Sequence, residues 1–288
     1  MCDELTEGDP DRAGLPVSRR SFAGLVAAGG AAIAGAALAK APQVSGRTVT
    51  ITTADGQADA WFTHPARGKH PAVLIWPDIR GLRPAFRQMA DRLAGAGYAV
   101  LAINPFYRDA AGDVVKPTDD WTQPDIRERL FGYAGKLTRA AVARDAVTVA
   151  AWLDQQKAVD TRRGMGVTGY CLGGPLTIFS AAALPARYKA CASFHGSRQS
   201  NDTPTSPHLA IAETKAQYLF AIADNDDARD PAEKDRLKAA LAGRPGFNEV
   251  EVYPGAQHGW CPPDGRAYNE AAAEKAWARM LALFKAAL

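Results

Sequence analysis

The sequence predicts an α/β fold with a mainly parallel central sheet and helices on both faces. Eight short apolar runs have the length of strands. Several of them, such as Tyr218–Ala223, show no alternation, which is typical of strands buried on both faces. Helical periods lie between them, and strands that alternate with helices favour parallel pairing. The strand-like runs are Val49–Thr53, Ala60–Thr63, Ala72–Trp76, Ala99–Ile103, Gly166–Thr168, Ala190–Phe194, Tyr218–Ala223 and Val250–Tyr253.

Three helices are predicted from apolar residues spaced three and four positions apart. The first begins at Pro84, because proline suits the first position of a helix. We interpret the apolar faces as core that packs on the sheet, not as cofactor sites. Their residues are Phe86, Met89, Ala90 and Leu93 in the first helix, Val142, Ala146, Val149 and Leu153 in the second, and Ala273, Trp277, Met280, Leu281 and Phe284 in the C-terminal helix.

The segment Gly169–Gly174, with sequence GYCLGG, follows a strand-like run and precedes a helical one. This layout is typical of a nucleophile elbow, in which glycines flank a nucleophile held in a strained turn. The helix N-terminus that follows offers free N–H groups to an oxyanion and favours a thiolate. Cys171 is therefore a candidate nucleophile, although a small buried side chain in a Gly-rich turn would have the same sequence.

A candidate acid and a candidate base follow Cys171 in the order used by one class of catalytic triads. Asp224, Asp226 and Asp227 come directly after a buried strand, and His258 lies in a late loop after another strand. Nucleophile, acid, histidine is the order of triads on a parallel sheet. The histidine would accept the nucleophile's proton, and the carboxylate would orient the imidazole. The alternative is that the acidic residues form a solvated loop.

Three blocks, Trp76–Gly81, Gly169–Gly174 and Ala256–Gly259, make the chain resemble the dienelactone hydrolase family. The resemblance runs from about residue 48 to the C-terminus and implies an α/β-hydrolase fold with a Cys-His-Asp triad. It implies Cys171 as nucleophile and His258 as base. The family acid stands three residues beyond the small residue that ends its strand, which predicts Asp226, with Asp224 and Asp227 as alternatives.

The same resemblance assigns roles near the first block. The backbone N–H groups of Ile79 and Leu172 are expected to form the oxyanion hole. Asp78 stands where the family has a glutamate that controls formation of the thiolate, and its side chain is one methylene shorter. The competing interpretation is that Asp78 only caps a turn.

Substrate recognition is expected to differ from that of the founding members of the family. Their arginine four residues after the catalytic histidine is replaced here by Pro262. We predict a small ester or lactone as the substrate, in a pocket lined by Arg80, Tyr107 and Trp260. Arg108 and Arg266 are alternative anion-binding residues. The irregular stretch 112–123 is a candidate loop or lid over this pocket.

Residues 1–39 have the features of an export signal. Arg19 and Arg20 precede an Ala/Gly-rich apolar stretch that ends Ala37–Ala39, which resembles a twin-arginine signal with a cleavage site. An ordinary Sec signal, an uncleaved anchor and an Ala-rich tail are the alternatives. We therefore predict a cleaved signal at 1–39, a short linker at 40–47, a single catalytic domain at 48–288, and a periplasmic or extracellular protein.

The rest of the composition limits the function. The 288 residues carry a formal net charge of +3 without a basic stripe, so nucleic-acid binding is not expected. No metal or organic cofactor, no stable membrane span after processing and no partner beyond a small-molecule substrate are expected, and a monomer is predicted. A disulfide between Cys191 and Cys261 is left open. The predicted function is hydrolysis through a thioester. The alternatives are a non-catalytic binding protein on this fold, or a hydrolase or acyltransferase for another substrate class.

Overall fold

A mixed sheet of eight strands forms the centre of the part of the chain that the computed structural model describes, residues 43–116, 119–120 and 123–288. All eight predicted strands are present. Their bounds are β1 Val44–Thr53, β2 Gly56–Pro65, β3 Ala72–Trp76, β4 Ala99–Ile103, β5 Met165–Tyr170, β6 Tyr188–Phe194, β7 Gln217–Ala223 and β8 Asn248–Tyr253.

The strand order is β1-β2-β4-β3-β5-β6-β7-β8. Strand β2 pairs antiparallel with both β1 and β4, and each of the other neighbouring pairs is parallel. The mainly parallel sheet is therefore confirmed, with an antiparallel hairpin at one edge. Strand β1 begins at Val44, four residues before the start that was predicted for the domain. Val44–Arg47 already belong to β1, because they pair with Phe62–Pro65 of β2.

Helices cover both faces of the sheet, as predicted. Val149 and Leu153 of one long helix and Ile178 of another pack on one face, while Phe86 of the first helix and Phe284 of the last pack on the other. The helices are α1 Pro84–Gly95, α2 Pro124–Ala134, α3 Arg139–Asp154, α4 Gly173–Ala183, α5 Asp224–Arg229, α6 Glu233–Leu241 and α7 Glu270–Ala287, with a 3₁₀ helix at Pro207–Glu213.

Two of the long helices have side-chain N-caps. Thr138 accepts a hydrogen bond from the N–H of Ala141 at 3.2 Å at the start of α3. Asn269 accepts one from Ala272 at 3.1 Å at the start of α7. Each cap satisfies a backbone donor that the first turn leaves without a partner. The start of α1 at Pro84 follows the prediction.

The parallel strands bring the candidate site residues to one edge of the sheet. Asp78 follows β3, Cys171 follows β5, Asp226 follows β7 and His258 follows β8. Ligands of such sheets bind outside the carboxyl ends of the strands, where these residues lie. Among the described residues, no helix is long and apolar enough to cross a membrane. The predicted export signal at 1–39 lies outside the described residues and stays a prediction.

Candidate active site

The turn that carries Cys171 depends on the glycines around it. Cys171 has a φ angle of 52°, a left-handed backbone conformation that residues other than glycine rarely adopt. A Cβ on Gly169 would lie 2.0 Å from the carbonyl oxygen of Gly173, and one on Gly173 would lie 2.2 Å from that of Trp76. Both contacts are far inside van der Waals distance. Only glycine therefore lets β5, α4 and the end of β3 approach closely enough to form this elbow.

Cys171, His258 and Asp226 form a continuous hydrogen-bonded chain. The Sγ atom of Cys171 lies 3.0 Å from Nε2 of His258. The Nδ1–H of His258 donates to Oδ2 of Asp226 at 2.6 Å. The backbone N–H of His258 donates to Oδ1 of Asn225 at 2.8 Å, which fixes the loop that carries the imidazole. The geometry is that of a nucleophile, a base and an orienting acid.

The three candidate acids have different partners in the structure. Asp226 is 3% exposed and contacts His258, and it also accepts a hydrogen bond from Arg229 at 2.6 Å. Asp224 accepts the N–H of Gly255 at 3.1 Å. Asp227 pairs with Lys234 at 2.7 Å. Of these three side chains, Asp226 therefore occupies the position of the triad acid.

The imidazole of His258 is placed to hold a proton. Burial disfavours its charged form. The charge on the neighbouring Cys171 sulfur and the hydrogen bond to Asp226 outweigh that cost, so the pKa of His258 is raised well above its usual value. The surroundings of His258 therefore favour its charged form next to the sulfur of Cys171.

Two backbone donors are available for an oxyanion. In the described part of the chain, neither the N–H of Ile79 nor that of Leu172 donates a hydrogen bond to a protein acceptor. Leu172 follows the nucleophile directly and precedes the first turn of α4. Ile79 lies in the loop after β3, whose Trp76 and Pro77 carbonyls abut the elbow at Gly173. Both N–H groups are therefore free to donate, and their role as an oxyanion hole stays a prediction.

Asp78 is held by an arginine in this structure. Its two carboxylate oxygens accept hydrogen bonds from Arg83 at 2.7 and 3.0 Å, and Oδ1 also accepts the N–H of Arg80 at 2.9 Å. The side-chain hydrogen bonds of Cys171 go to His258 and Ser197. Asp78 therefore has a structural role as an ion-pair partner, and its control of the thiol stays a prediction.

Arg83 links the two loops that carry the oxyanion donor and the histidine. It is 4% exposed and donates to Asp78 in the loop after β3. It also donates to Asp264, at 2.7 and 3.0 Å, in the loop between β8 and α7. Burial opposes its charge, but the two carboxylates outweigh burial and raise the pKa of Arg83 above its usual value. Sequence reasoning missed Arg83, because its partner Asp264 is 181 positions away.

Arg80 lines a cavity of about 340 Å³ beside these loops. Its nearest acid is Asp264, with Nη2 and Oδ2 3.4 Å apart, and its buried Nε has no partner among the described residues. Burial, followed by the charge of Arg83, lowers the pKa of Arg80 from its usual value. Lys116 of the stretch 112–123 also lines the cavity. The residues that line this cavity include neither Cys171 nor His258, and the pocket role of Arg80 stays a prediction.

The structure separates the two predicted aromatic pocket residues. Trp260 is fully buried, stacks on Tyr253 and packs edge-on against His195, whose ring in turn lies 5.1 Å from that of His258. Trp260 therefore packs behind His258 through the ring of His195.

Tyr107 makes its polar contacts with residues outside the triad. Its hydroxyl donates to Asp145 at 2.6 Å, and its ring lies against Arg108, which pairs with Asp145 and Asp55. No hydrogen bond of Tyr107 within the described residues goes to Cys171 or His258. The pocket roles of Tyr107 and Arg108 stay predictions.

All three described cysteines are free. Cys191 packs in the core on one face of the sheet and Cys261 in the core on the other, so the disulfide that the sequence left open does not form. Burial raises the pKa of both thiols, which keeps them protonated and unreactive. Among the described residues, no group of three or more His, Cys, Asp or Glu side chains is arranged to hold a metal ion.

A second element that sequence reasoning missed is the loop after β6. Glu233, 6% exposed, accepts the N–H groups of Gln199 and Ser200 at 2.9 and 3.1 Å and so anchors this loop. Burial outweighs these two hydrogen bonds, with a further contribution from Asp230 and Asp226, and raises the pKa of Glu233 to about 7. The loop begins at the carboxyl end of a parallel strand, and from that position the sequence could have predicted that the loop lies near the site.

Replacing Glu233 by glutamine is expected to change how stability depends on pH. The folded pKa lies above the ordinary value of 4.5. The contribution of Glu233 to the stability of the wild type is therefore most favourable below pH 4.5 and is lost as the pH rises to about 7. The lost free energy is about 3 kcal/mol. Glutamine can still accept both N–H groups but does not titrate. In urea unfolding, the free energy of unfolding of Glu233→Gln should therefore rise relative to that of the wild type between pH 4.5 and pH 8.

The exposed Glu213→Gln variant is the control for removing a carboxylate. If wild type and Glu233→Gln differ in unfolding free energy by the same amount at pH 4.5 and pH 8, the raised pKa of Glu233 is contradicted.

The sheet order, the left-handed turn at Cys171 and the ordered triad define an α/β hydrolase. The chain belongs to the dienelactone hydrolase family, whose family model matches residues 58–288. It is 30% identical over 242 residues to a Salmonella typhi protein named "Putative carboxymethylenebutenolidase", covering 81% of this chain and 86% of that one. It is 28% identical to the carboxymethylenebutenolidase of Rhodococcus opacus, covering 76% of this chain and 82% of the relative.

A solved structure has the same fold. The crystal structure titled "Putative Dienelactone Hydrolase" from Klebsiella pneumoniae superimposes with a TM-score of 0.70 at 26% identity, covering 84% of this chain and 99% of that one. The resemblance predicted from the three sequence blocks is thus confirmed, and the protein is a member of an enzymatic family of hydrolases.

Proposed function

We propose that the protein hydrolyses a small ester or lactone, with Cys171 as the nucleophile. The observation that carries the proposal is the chain from Sγ of Cys171 to Nε2 of His258 and from Nδ1 of His258 to Asp226, with distances of 3.0 and 2.6 Å. A sulfur so placed, beside an imidazole with a raised pKa, is a ready nucleophile.

The reaction proceeds in two halves. The thiolate of Cys171 attacks the carbonyl carbon, and the resulting oxyanion is stabilised by the N–H groups of Ile79 and Leu172, at roughly 3–4 kcal/mol per donor. Collapse breaks the ester C–O bond. The leaving oxygen takes the proton from His258, and a thioester remains on Cys171. His258, now neutral, removes a proton from water, which attacks the thioester and regenerates the thiolate and the imidazolium. For a lactone, the leaving oxygen stays attached to the acyl group.

The substrate class is supported by the relatives. Relatives covering most of this chain are named carboxymethylenebutenolidases, and a butenolide is a lactone. Arg80 directly follows Ile79, and its buried Nε has no hydrogen-bond partner among the described residues. Pro262 stands where founding members have an arginine. We therefore assign substrate binding to Arg80.

Trapping of the acyl-enzyme tests this proposal. Rapid acid quenching during turnover of p-nitrophenyl acetate, followed by peptide mass spectrometry, should locate an acetyl group on the peptide containing Cys171. An initial burst of nitrophenolate should accompany it if deacylation is slower than acylation. Acetylation of another residue during turnover would refute the nucleophile. Turnover of no ester or lactone in a broad panel would favour the alternative of a non-catalytic binding protein.

A further inference from the structure

The loop after β6 contacts the reactive sulfur at a position that the triad does not use. The hydroxyl Oγ of Ser197 lies 3.7 Å from Sγ of Cys171, within hydrogen-bond distance for sulfur. The backbone N–H of Ser197 also donates to the carbonyl oxygen of Cys171 at 3.0 Å. The nucleophile and this serine are thus joined through both backbone and side chain.

The chemistry of the sulfur decides which group donates. A thiolate carries no proton, so in the reactive state only the Ser197 hydroxyl can be the donor. The described polar side-chain partners of Sγ are then His258 at 3.0 Å and Ser197 at 3.7 Å. We propose that Ser197 is a further catalytic residue, whose O–H donates to the Cys171 thiolate and stabilises it alongside the imidazolium. This inference rests on the proposed function of Cys171 as nucleophile.

The loop is built to hold Ser197 in place. His195 and Arg198, on either side of it, have φ values of 39° and 55°, and such left-handed residues persist only where the surroundings hold them. The backbone N–H groups of Gln199 and Ser200 donate to the buried Glu233, and the carbonyl of Gln199 accepts the N–H of His208 at 3.0 Å. Ser197 therefore lies on an anchored segment.

The other titratable groups described around the elbow make no hydrogen bond to the sulfur of Cys171. His195 is fully buried beside His258, and burial, with the charge of His258, lowers its pKa well below the usual value, so it stays neutral. Asp78 is held by Arg83, and Asp226 by His258 and Arg229. The charge of the thiolate is therefore met directly by His258 and by the hydroxyl of Ser197.

The contact predicts a pH-dependent defect. Loss of the hydroxyl should make the thiolate harder to form, so reactivity should fall at low pH and recover once the sulfur is fully ionised. When the thioester forms, the sulfur becomes neutral and the bond weakens, so deacylation should change little. A merely structural loss would reduce reactivity at all pH values.

The test uses the matched pair Ser197→Thr and Ser197→Val, which have the same shape and differ by the hydroxyl. The rate of alkylation of Cys171 by iodoacetamide is measured from pH 5 to 10, after subtraction of the Cys171→Ala background. The midpoint of the profile should lie about one pH unit higher in Ser197→Val than in Ser197→Thr. The kcat/KM for ester hydrolysis should then differ about tenfold at pH values below both midpoints.

Ser200→Ala is the control on the same loop. Its hydroxyl accepts from Arg236 at 3.0 Å and does not contact the sulfur, so the alkylation midpoint should stay at the wild-type value. Equal midpoints for Ser197→Thr and Ser197→Val would overturn the role of Ser197. Alkylation measures ionisation of the free sulfur and needs no ester turnover, whereas acyl trapping decides the proposed function. Failure of the proposed role of Ser197 can therefore be distinguished from failure of the proposed function.

Discussion

Replacing Cys171 by alanine is expected to lower kcat/KM for ester or lactone hydrolysis by at least about 10⁴-fold. The reason is that the substitution removes the atom that forms the thioester, while the oxyanion donors and the cavity remain. The measurement is steady-state hydrolysis of a panel of activated esters and lactones, with the loss expected in kcat. Thermal unfolding should show that the variant is folded, because Cys171 has few polar contacts to lose.

The matched control is Cys191→Ala, the same change at another free cysteine. Cys191 is 1% exposed in the core, and its thiol donates to the carbonyl of Thr177. This variant should lose stability but keep its kcat/KM. A second readout is the His258 imidazole in Cys171→Ala: its pKa, followed by NMR, should fall, because the sulfur's charge helps to raise it. Equal turnover by Cys171→Ala and wild type would refute the mechanism.

Replacing Arg83 by methionine is expected to reduce the free energy of unfolding by about 3–5 kcal/mol. Methionine fills much of the buried volume, but the carboxylate of Asp78, 8% exposed, loses its bidentate partner. A buried charge without its partner accounts for most of the cost. The measurement is chemical unfolding at neutral pH. Because the two loops also lose their link through Asp264, kcat should fall as well.

Arg87→Met provides the comparison. Arg87 lies one helical turn away and pairs with Asp113, where both side chains are about one-third exposed, so its loss should cost less than about 1 kcal/mol. The double variant Arg83→Met with Asp78→Asn should recover part of the stability, because the unpaired charge is removed. Similar costs for Arg83→Met and Arg87→Met would contradict the interpretation of Arg83 as a buried link.

The parts of the site that were predicted from sequence depend on short-range constraints. The glycines at 169 and 173 mark Cys171 because a side chain at either position would collide with neighbouring backbone. The place of His258 followed from the order of strands along the chain. The choice among Asp224, Asp226 and Asp227 needed a count from the end of β7. The structure ends that strand at Ala223 and directs Asp226 to the imidazole.

The parts that were not predicted depend on pairing over long distances. Arg83 donates to both carboxylate oxygens of Asp78 and also pairs with Asp264, far along the chain. The structure places Tyr107 with Asp145 and Thr53, a choice that its sequence neighbours do not determine. No sequence motif marks Ser197 or Glu233. Their contacts arise only because β6 lies beside β5 and α6 packs against the loop that follows β6.

Apolar periodicity and glycine spacing were by themselves enough to determine that this protein is a layered α/β domain with a candidate nucleophile at one strand end, since both act within a few residues. Only the tertiary structure decided which charged and polar side chains meet around that nucleophile. The partner of a carboxylate or a hydroxyl is whichever group the packed sheet brings within about 3–4 Å, and no local pattern specifies it.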